Sequence, residues 1–309
     1  MTRCSVIVLL AAILFLGLPA PGLAQESLKI GILPIVEALP FILMEKEGKP
    51  ENLKIIVFNS ALERDAALQG GQLDGAITDP VASAIMAGRG MDVVLASLIL
   101  GSKPEEGRFA IIAAPGSSIK TPQDLKGVPI AISSNTIVEY VTDSLLTGAG
   151  LKDSEIAKEE IKKMPVRFQM LLSGQIQAAT LPDPLAHFAQ SKGARLIIDD
   201  TGGENISQVV LLFTGKAVKE KGYQIEQMYK AYNRHVERIN ESPDSHRQIL
   251  VERARLPKPI SSTYPLDHFP KAQLPDREAI ERVIDWARQK DLIKEPVTFD
   301  SLTGRSPLK

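Results

Sequence analysis

The chain has 309 residues, with 36 basic and 37 acidic side chains and a formal net charge of −1. So even a balance implies neither a nucleic-acid partner nor attraction to an anionic membrane surface. The one cysteine, Cys4, and four histidines (His187, His235, His246 and His268) with no His-Glu-x-x-His pairing leave no thiolate or zincin-type metal site, and no metal or cofactor is expected.

At the start of the chain, Arg3 precedes an apolar run from Val6 to Leu18, and Pro19 to Gly22 leads into Gly22-Leu23-Ala24 before Gln25. A charged, then apolar, then small-residue order is that of a secretory signal peptide, here residues 1–24 with cleavage after Ala24. The alternative, a membrane anchor, needs roughly 20 apolar residues, and this run is shorter. Cys4 leaves with the signal, so the mature chain is expected to carry no disulfide, lipid anchor or thiol nucleophile and to be periplasmic or secreted. Its 285 residues, with a formal charge of −2 once Arg3 is lost, predict two domains.

From Leu28 short apolar runs alternate with helical patterns, which predicts an α/β fold with largely parallel sheets. Strands are expected at Leu28 to Leu33, Leu53 to Phe58, Leu73 to Thr78, Val93 to Ser97, Phe109 to Ala114, Val128 to Ser133, Ala178 to Leu181, Arg195 to Ile198 and Val209 to Phe213. A short helix closes at Gly48, and a second spans Ala61 to Gly70. After Phe213 the alternation stops. Ile225, Met228, Tyr229, Tyr232, Val236 and Ile239 repeat at helical spacing, as do Ile280, Val283, Ile284 and Ala287, and both stripes read as core-facing.

Two segments echo each other. Gly71-Gln72-Leu73-Asp74-Gly75-Ala76-Ile77-Thr78-Asp79-Pro80 and Gly174-Gln175-Ile176-Gln177-Ala178-Ala179-Thr180-Leu181-Pro182-Asp183-Pro184 both run from helix through Gly and strand to Asp-Pro and helix. An Arg-bearing helix precedes each, with Arg64 and Arg167. The echo predicts two lobes that share a plan and face each other.

Asp79-Pro80 and Asp183-Pro184 combine a helix-capping carboxylate with a proline suited to the first helical turn. They stand at carboxyl ends of predicted strands, the edge where open α/β sheets bind ligands, so each Asp serves as a cap, a ligand contact or both. Ser133-Ser134-Asn135-Thr136 opens another helix with free amides that suit a ligand oxygen. The loop from Pro34 to Pro40 offers Glu37. An acidic side at Glu37, Asp79 and Asp183 opposite a neutral hydroxyl and amide turn favours a ligand with donor groups, such as an amine, at one end and oxygen acceptors at the other. No nucleophile elbow, P-loop or dinucleotide fingerprint is present, since Gly88-Arg89-Gly90 lacks the third glycine.

The order of Ile30-Gly31-Ile32-Leu33-Pro34, Phe41 to Gly48, Ala67 to Ala76, Ile119 to Ile132 and Asp183-Pro184 resembles the type II periplasmic solute-binding proteins, in the nitrate/sulfonate/taurine and thiamine-pyrimidine-precursor group of ABC importers. The resemblance spans nearly the whole mature chain. It implies a two-lobed clamshell, with lobe one from 25–113 and 205–309, lobe two from 114–204, and the chain crossing near Ala113 and returning near Asn205. Ligand contacts would map to Glu37, Ala38, Ser60, Asp79, Ser133, Ser134, Asn135, Thr136 and Asp183, although many relatives carry Glu where this chain has Asp183. The implied role is non-enzymatic: a monomer that captures a small polar organic ligand of sulfonate or taurine type and delivers it to an ABC permease and ATPase. A sensing receptor is the alternative reading, and an enzyme using the same cleft a weaker one. Cysteine-dependent enzymes among the thiamine-precursor relatives find no counterpart here, and stacking of a pyrimidine would fall to Phe41, Tyr140 or Phe188.

Overall fold

The computed structural model describes residues 26–203 and 206–308. The expected signal peptide with Cys4, and Asn205 at the expected return crossing, lie outside these residues. The chain first lays down β1 (Leu28–Ile32), α1 (Leu39–Glu47), β2 (Leu53–Val57), α2 (Ala61–Gln69), β3 (Gly75–Thr78), α3 (Pro80–Gly88) and β4 (Val93–Leu100). A second series follows: β5 (Phe109–Ala113), β6 (Ile130–Ile132), α4 (Ile137–Gly148), β7 (Lys158–Glu160), α5 (Met164–Leu172), β8 (Ala178–Pro182), α6 (Leu185–Ser191) and β9 (Arg195–Asp199). Last come β10 (Val209–Thr214) and the helices α7 (Gly215–Glu220), α8 (Gly222–Glu241), α9 (Arg247–Arg253), α10 (Arg277–Gln289) and α11 (Phe299–Thr303).

The strands form two five-stranded sheets, ordered β2-β1-β3-β10-β4 and β7-β6-β8-β5-β9. Position for position the orders match, with β1 to β4 answering to β6 to β9. In each sheet one antiparallel strand, β10 or β5, sits between the third and fourth parallel strands. Each of these inserted strands follows directly on a crossing from the other sheet.

The expected crossing near Ala113 is corrected by this topology. Phe109–Ala113 pairs with β8 on one side and β9 on the other, so it belongs to the second sheet. The chain therefore crosses between Leu100 and Phe109, where Gly101 and Gly107 take φ values of 95° and 69° that suit glycine. Apolar content alone cannot assign such a strand to a sheet, because a buried strand reads the same in either.

The two crossings are tied to one another. Phe109 donates its N–H to Asp200 Oδ1 at 2.9 Å, and the Ser207 hydroxyl donates to the Gly107 carbonyl at 2.6 Å and contacts Asp200. Gln208 Nε2 donates to the Gly101 carbonyl at 3.2 Å. Burial pushes the Asp200 carboxyl up to about 6, against the pull of Ser207 and Phe109.

Side-chain size sets the sheet interiors. β3 is buried at all four residues, and a Cβ on Gly75 would meet Phe213 Cδ1 of β10 at 2.5 Å. All eight residues of β4 are buried, which carries it three residues beyond the expected Ser97. Phe41 and Tyr232 pack in the first core with ring centroids 5.7 Å apart. Tyr140 packs edge-on against Trp286, and Phe188 stacks on Phe168 at 5.4 Å and 12°. The three aromatic residues considered for a pyrimidine are thus all engaged with other rings.

The C-terminal helices return to the first sheet, α8 against α1 and α10 against α3. From there α10 also reaches the second lobe at α4. Trp286 donates its indole N–H to Asp143 at 3.1 Å, and Lys290 Nζ lies 2.9 Å from Asp143 and 3.2 Å from Glu139. Lys158 meets the same two carboxylates at 2.7 and 2.8 Å. Among the described residues no helix is long and apolar enough to cross a membrane.

Candidate interlobe binding site

The parallel strands of both sheets end at loops that open helices, and α3 of one lobe packs against α4 of the other. The carboxyl edge of an open α/β sheet is where ligands bind. Ala38 is buried and caps α1 by its backbone. Ser60 caps α2, accepting from the Glu63 N–H at 3.3 Å. Asp79 caps α3 through Ala82 N–H at 2.9 Å with Pro80 in the first turn, and burial raises its carboxyl.

Asp183 does more than cap. Its Oδ1 accepts the His187 N–H at 3.0 Å, while both carboxylate oxygens accept from the Arg108 guanidinium at 3.0 Å in a bidentate pair. Relative to Asp79 the chain holds one extra residue here, the Asp183–Pro184 peptide is cis, and the helix begins at Leu185 instead of Pro184. Arg108 also approaches Asp199 at 3.4 Å.

Glu37 stands in a short 3-10 turn before α1, within range of the charges of Asp183 and Asp267. Its Oε2 is buried without a hydrogen-bond partner. Burial pushes the Glu37 carboxyl up to about 8, opposed by a backbone N–H and reinforced by the charges of Asp267 and Asp183. Asp267 accepts the Gly107 N–H at 3.2 Å, and burial drives it up to about 6. Tyr264, buried beside these acids, meets the His187 ring edge-on at 5.8 Å. Of the three acids expected on one side, Glu37 of one lobe and Asp183 of the other lie within range of each other's charge. Asp79 lies apart, with Arg64 and Asp65 as its charged neighbours.

The Ser133–Thr136 turn is already well supplied with acids. Glu160 accepts from the Ser134 N–H at 2.8 Å and contacts its hydroxyl, and Glu139 accepts the Asn135 N–H at 2.7 Å. Burial alone would raise Glu160, but the Ser134 hydrogen bonds outweigh it and hold the carboxyl below its usual range. Ser133 donates to the Lys162 carbonyl at 3.3 Å and contacts Arg167, and Thr136 caps α4 through Val138 N–H at 3.2 Å. Asn135 takes a φ of 60°, a conformation Asn tolerates. The turn expected to be neutral therefore has two carboxylates against its amides, one from β7 and one from α4.

Arg108, Asp267, Tyr264 and Glu160 were not anticipated. Arg108 and Asp267 sit in polar segments between periodic elements, and Glu160 lies on β7, a Lys-Glu-Glu edge strand with no apolar signal. Among the described residues no group of three or more His, Asp or Glu is arranged to hold a metal.

Two similarly built α/β lobes joined by two crossings, with α3 of one packed on α4 of the other, have the two-lobed clamshell fold of the periplasmic binding proteins. Solved structures share it. The aliphatic sulphonate binding protein SsuA of Escherichia coli superposes with a TM-score of 0.75 at 21% identity, over 90% of this chain and 92% of that one. The alkanesulfonate-binding protein SsuA of Xanthomonas axonopodis pv. citri, bound to MOPS, gives 0.71 at 19% identity over 92% and 96%. The desulfurization enzyme DSZB has the same fold at 0.66 and 15% identity, over 92% and 98%. In sequence, an aliphatic sulfonates-binding protein of Escherichia coli (strain K12) is 24% identical over 253 residues, 80% of this chain and 77% of that protein. The NMT1/THI5-like family profile matches residues 51–246, and the chain belongs to that family.

Proposed function

We propose that the protein is a periplasmic solute-binding component that captures a small polar organic ligand, of sulfonate or taurine type, between its lobes and delivers it as a monomer to an ABC permease and ATPase. The observation that carries the reading is the packing of α3 of one lobe against α4 of the other, with Glu37 of the first lobe within range of the charge on Asp183 of the second. Relatives named as sulfonate-binding proteins support the ligand class. The ligand contacts are assigned to Glu37, Ala38, Ser60, Asp79, Ser133 to Thr136 and Asp183. Helix starts at Ser60, Asp79 and Thr136 present N–H groups and dipole ends suited to ligand oxygens. Capture is non-catalytic and works by closure, because the ligand prefers the state in which both lobes touch it.

DSZB keeps an enzyme in view as a second reading on the same fold. A thermal-shift screen with alkanesulfonates, aminoalkanesulfonates, carboxylates, pyrimidines and inorganic anions tests the proposal, since a ligand of the folded state raises apparent stability. Stabilisation by sulfonates without product formation is the expected result. Stabilisation by inorganic anions alone, or turnover, contradicts it.

A further inference from the structure

We propose that Arg167 is a positioning residue for the ligand: by donating to the Ser133 hydroxyl from inside the second lobe, it leaves that hydroxyl's single proton for an acceptor and gives the lobe its preference for an oxyanion. This rests on the cleft being the ligand site, with Ser133 among its contacts, and specifies what makes that contact selective.

Arg167 stands on α5 and is fully buried, yet among the described residues no carboxylate forms a salt bridge with it. Its donors go instead to the ends of three adjacent strands of the second sheet. Nε and Nη2 meet the Ile161 carbonyl after β7 at 3.1 and 2.7 Å, Nη1 meets the Thr180 carbonyl of β8 at 3.1 Å, and Nη2 also donates to Ser133 Oγ after β6. Burial brings the guanidinium down to about 10, which leaves it charged at neutral pH. Arg64, the corresponding arginine of the first lobe, is paired with Asp65 at 2.7 Å. The second lobe therefore carries a cation behind its ligand-binding edge that no ion pair neutralises.

A hydroxyl has one proton and two lone pairs, and a guanidinium can only donate. With Arg167 on one lone pair, Ser133 keeps its proton for an acceptor. Within the protein that acceptor is the Lys162 carbonyl at 3.3 Å, beyond the usual span for such a bond. Ser133 is half-buried, with Ser134 and Asn135 exposed beyond it. A sulfonate oxygen is the stronger acceptor, because a charged partner strengthens the bond and donation from Arg167 polarises the O–H further. An ammonium gains less from a hydroxyl that already accepts from a cation. The carboxylates of the turn have cations of their own, Glu160 with Lys162 at 3.9 Å and Glu139 with Lys158 at 2.8 Å and Lys290 at 3.2 Å.

Calorimetry of the mature protein with ethanesulfonate and with propanoate, well below the unfolding transition, compares Ser133→Ala, Arg167→Met and the double variant. Each single change should weaken ethanesulfonate binding at least about tenfold. The double variant should bind no more weakly than the weaker single, because the arginine acts through the hydroxyl. Urea unfolding separates this role from a structural one: Arg167→Met loses stability and Ser133→Ala loses little, while their affinity losses match. Should Arg167→Met fail to fold, Arg167→Lys takes its place in the same cycle. Unchanged affinity in either single variant, or losses that add in the double, overturns the inference and leaves the sulfonate reading standing. The same coupled losses seen with propanoate alone support the inference and remove the sulfonate reading. Binding of neither probe by the wild type overturns both.

Discussion

Trp286 donates its indole N–H to Asp143 at 3.1 Å, joining α10 of one lobe to α4 of the other. Lys290, one helical turn on, meets the same carboxylate and Glu139, so α10 grips α4 on one flank of the cleft. Asp143→Ala removes the acceptor of Trp286 and leaves Lys158 and Lys290 to share Glu139 alone. The expected cost is about 1–3 kcal/mol in urea unfolding. Without ligand the variant should also show a larger radius of gyration by small-angle scattering, because an interlobe tie is lost.

Arg108, which is half-buried, holds the buried Asp183 in a bidentate pair. Arg108→Ala leaves the buried Asp183 without its cation, a loss of roughly 1–3 kcal/mol. Arg108→Lys should recover only part of this, since an ammonium cannot reproduce the two-pronged contact. Chemical denaturation of the two variants checks both statements.

Three of the acids that burial raises, Glu37, Asp200 and Asp267, give stability a definite pH dependence. Glu37 reaches about 8, and Asp200 and Asp267 about 6, each driven first by burial. Each binds its proton more tightly folded than unfolded. Folding therefore suffers no penalty from them below the unfolded values near 4, and loses stability as pH rises through the folded values. The unliganded protein should melt at lower temperature at a pH of about 8 than at about 5. Glu37→Gln should flatten the upper part of that decline, and a melting temperature that climbs steadily across this range would contradict the assignment.

Much of the architecture could be read from the residues, because burial leaves a periodic trace. The echo between the Gly71 and Gly174 segments proves to be structural. Arg64 donates to the Ile77 carbonyl at 2.6 Å and Arg167 to the Thr180 carbonyl at 3.1 Å, the same thirteen-residue reach in each lobe. Desolvation brings the fully buried Arg167 guanidinium down to about 10, so these arginines serve the strand ends from inside. The lobe assignment of Phe109–Ala113 was not legible, since a buried strand does not name its neighbours. β7 was missed because Lys158-Glu159-Glu160 looks like a loop. The site was half legible: strand ends reveal Glu37, Asp79 and Asp183, but long-range partners such as Arg108 and Asp267 carry no local pattern.

The paired arginines make a prediction of their own. Arg167→Met leaves the Ile161 and Thr180 carbonyls without their buried donor, and Arg64→Met does the same to Ile77. Each should cost on the order of 2–4 kcal/mol, from about 1–3 kcal/mol per unsatisfied buried group. Comparable losses in two separate urea titrations would support equivalent roles, and a neutral result at either would refute them.

Proton NMR of 2-aminoethanesulfonate, titrated with the mature protein, reads capture and turnover together. The account predicts broadening that saturates at one ligand per chain, with an affinity in the micromolar range, about −8 kcal/mol, and ligand signals unchanged over hours. New product signals, or a ligand that never broadens, would contradict it.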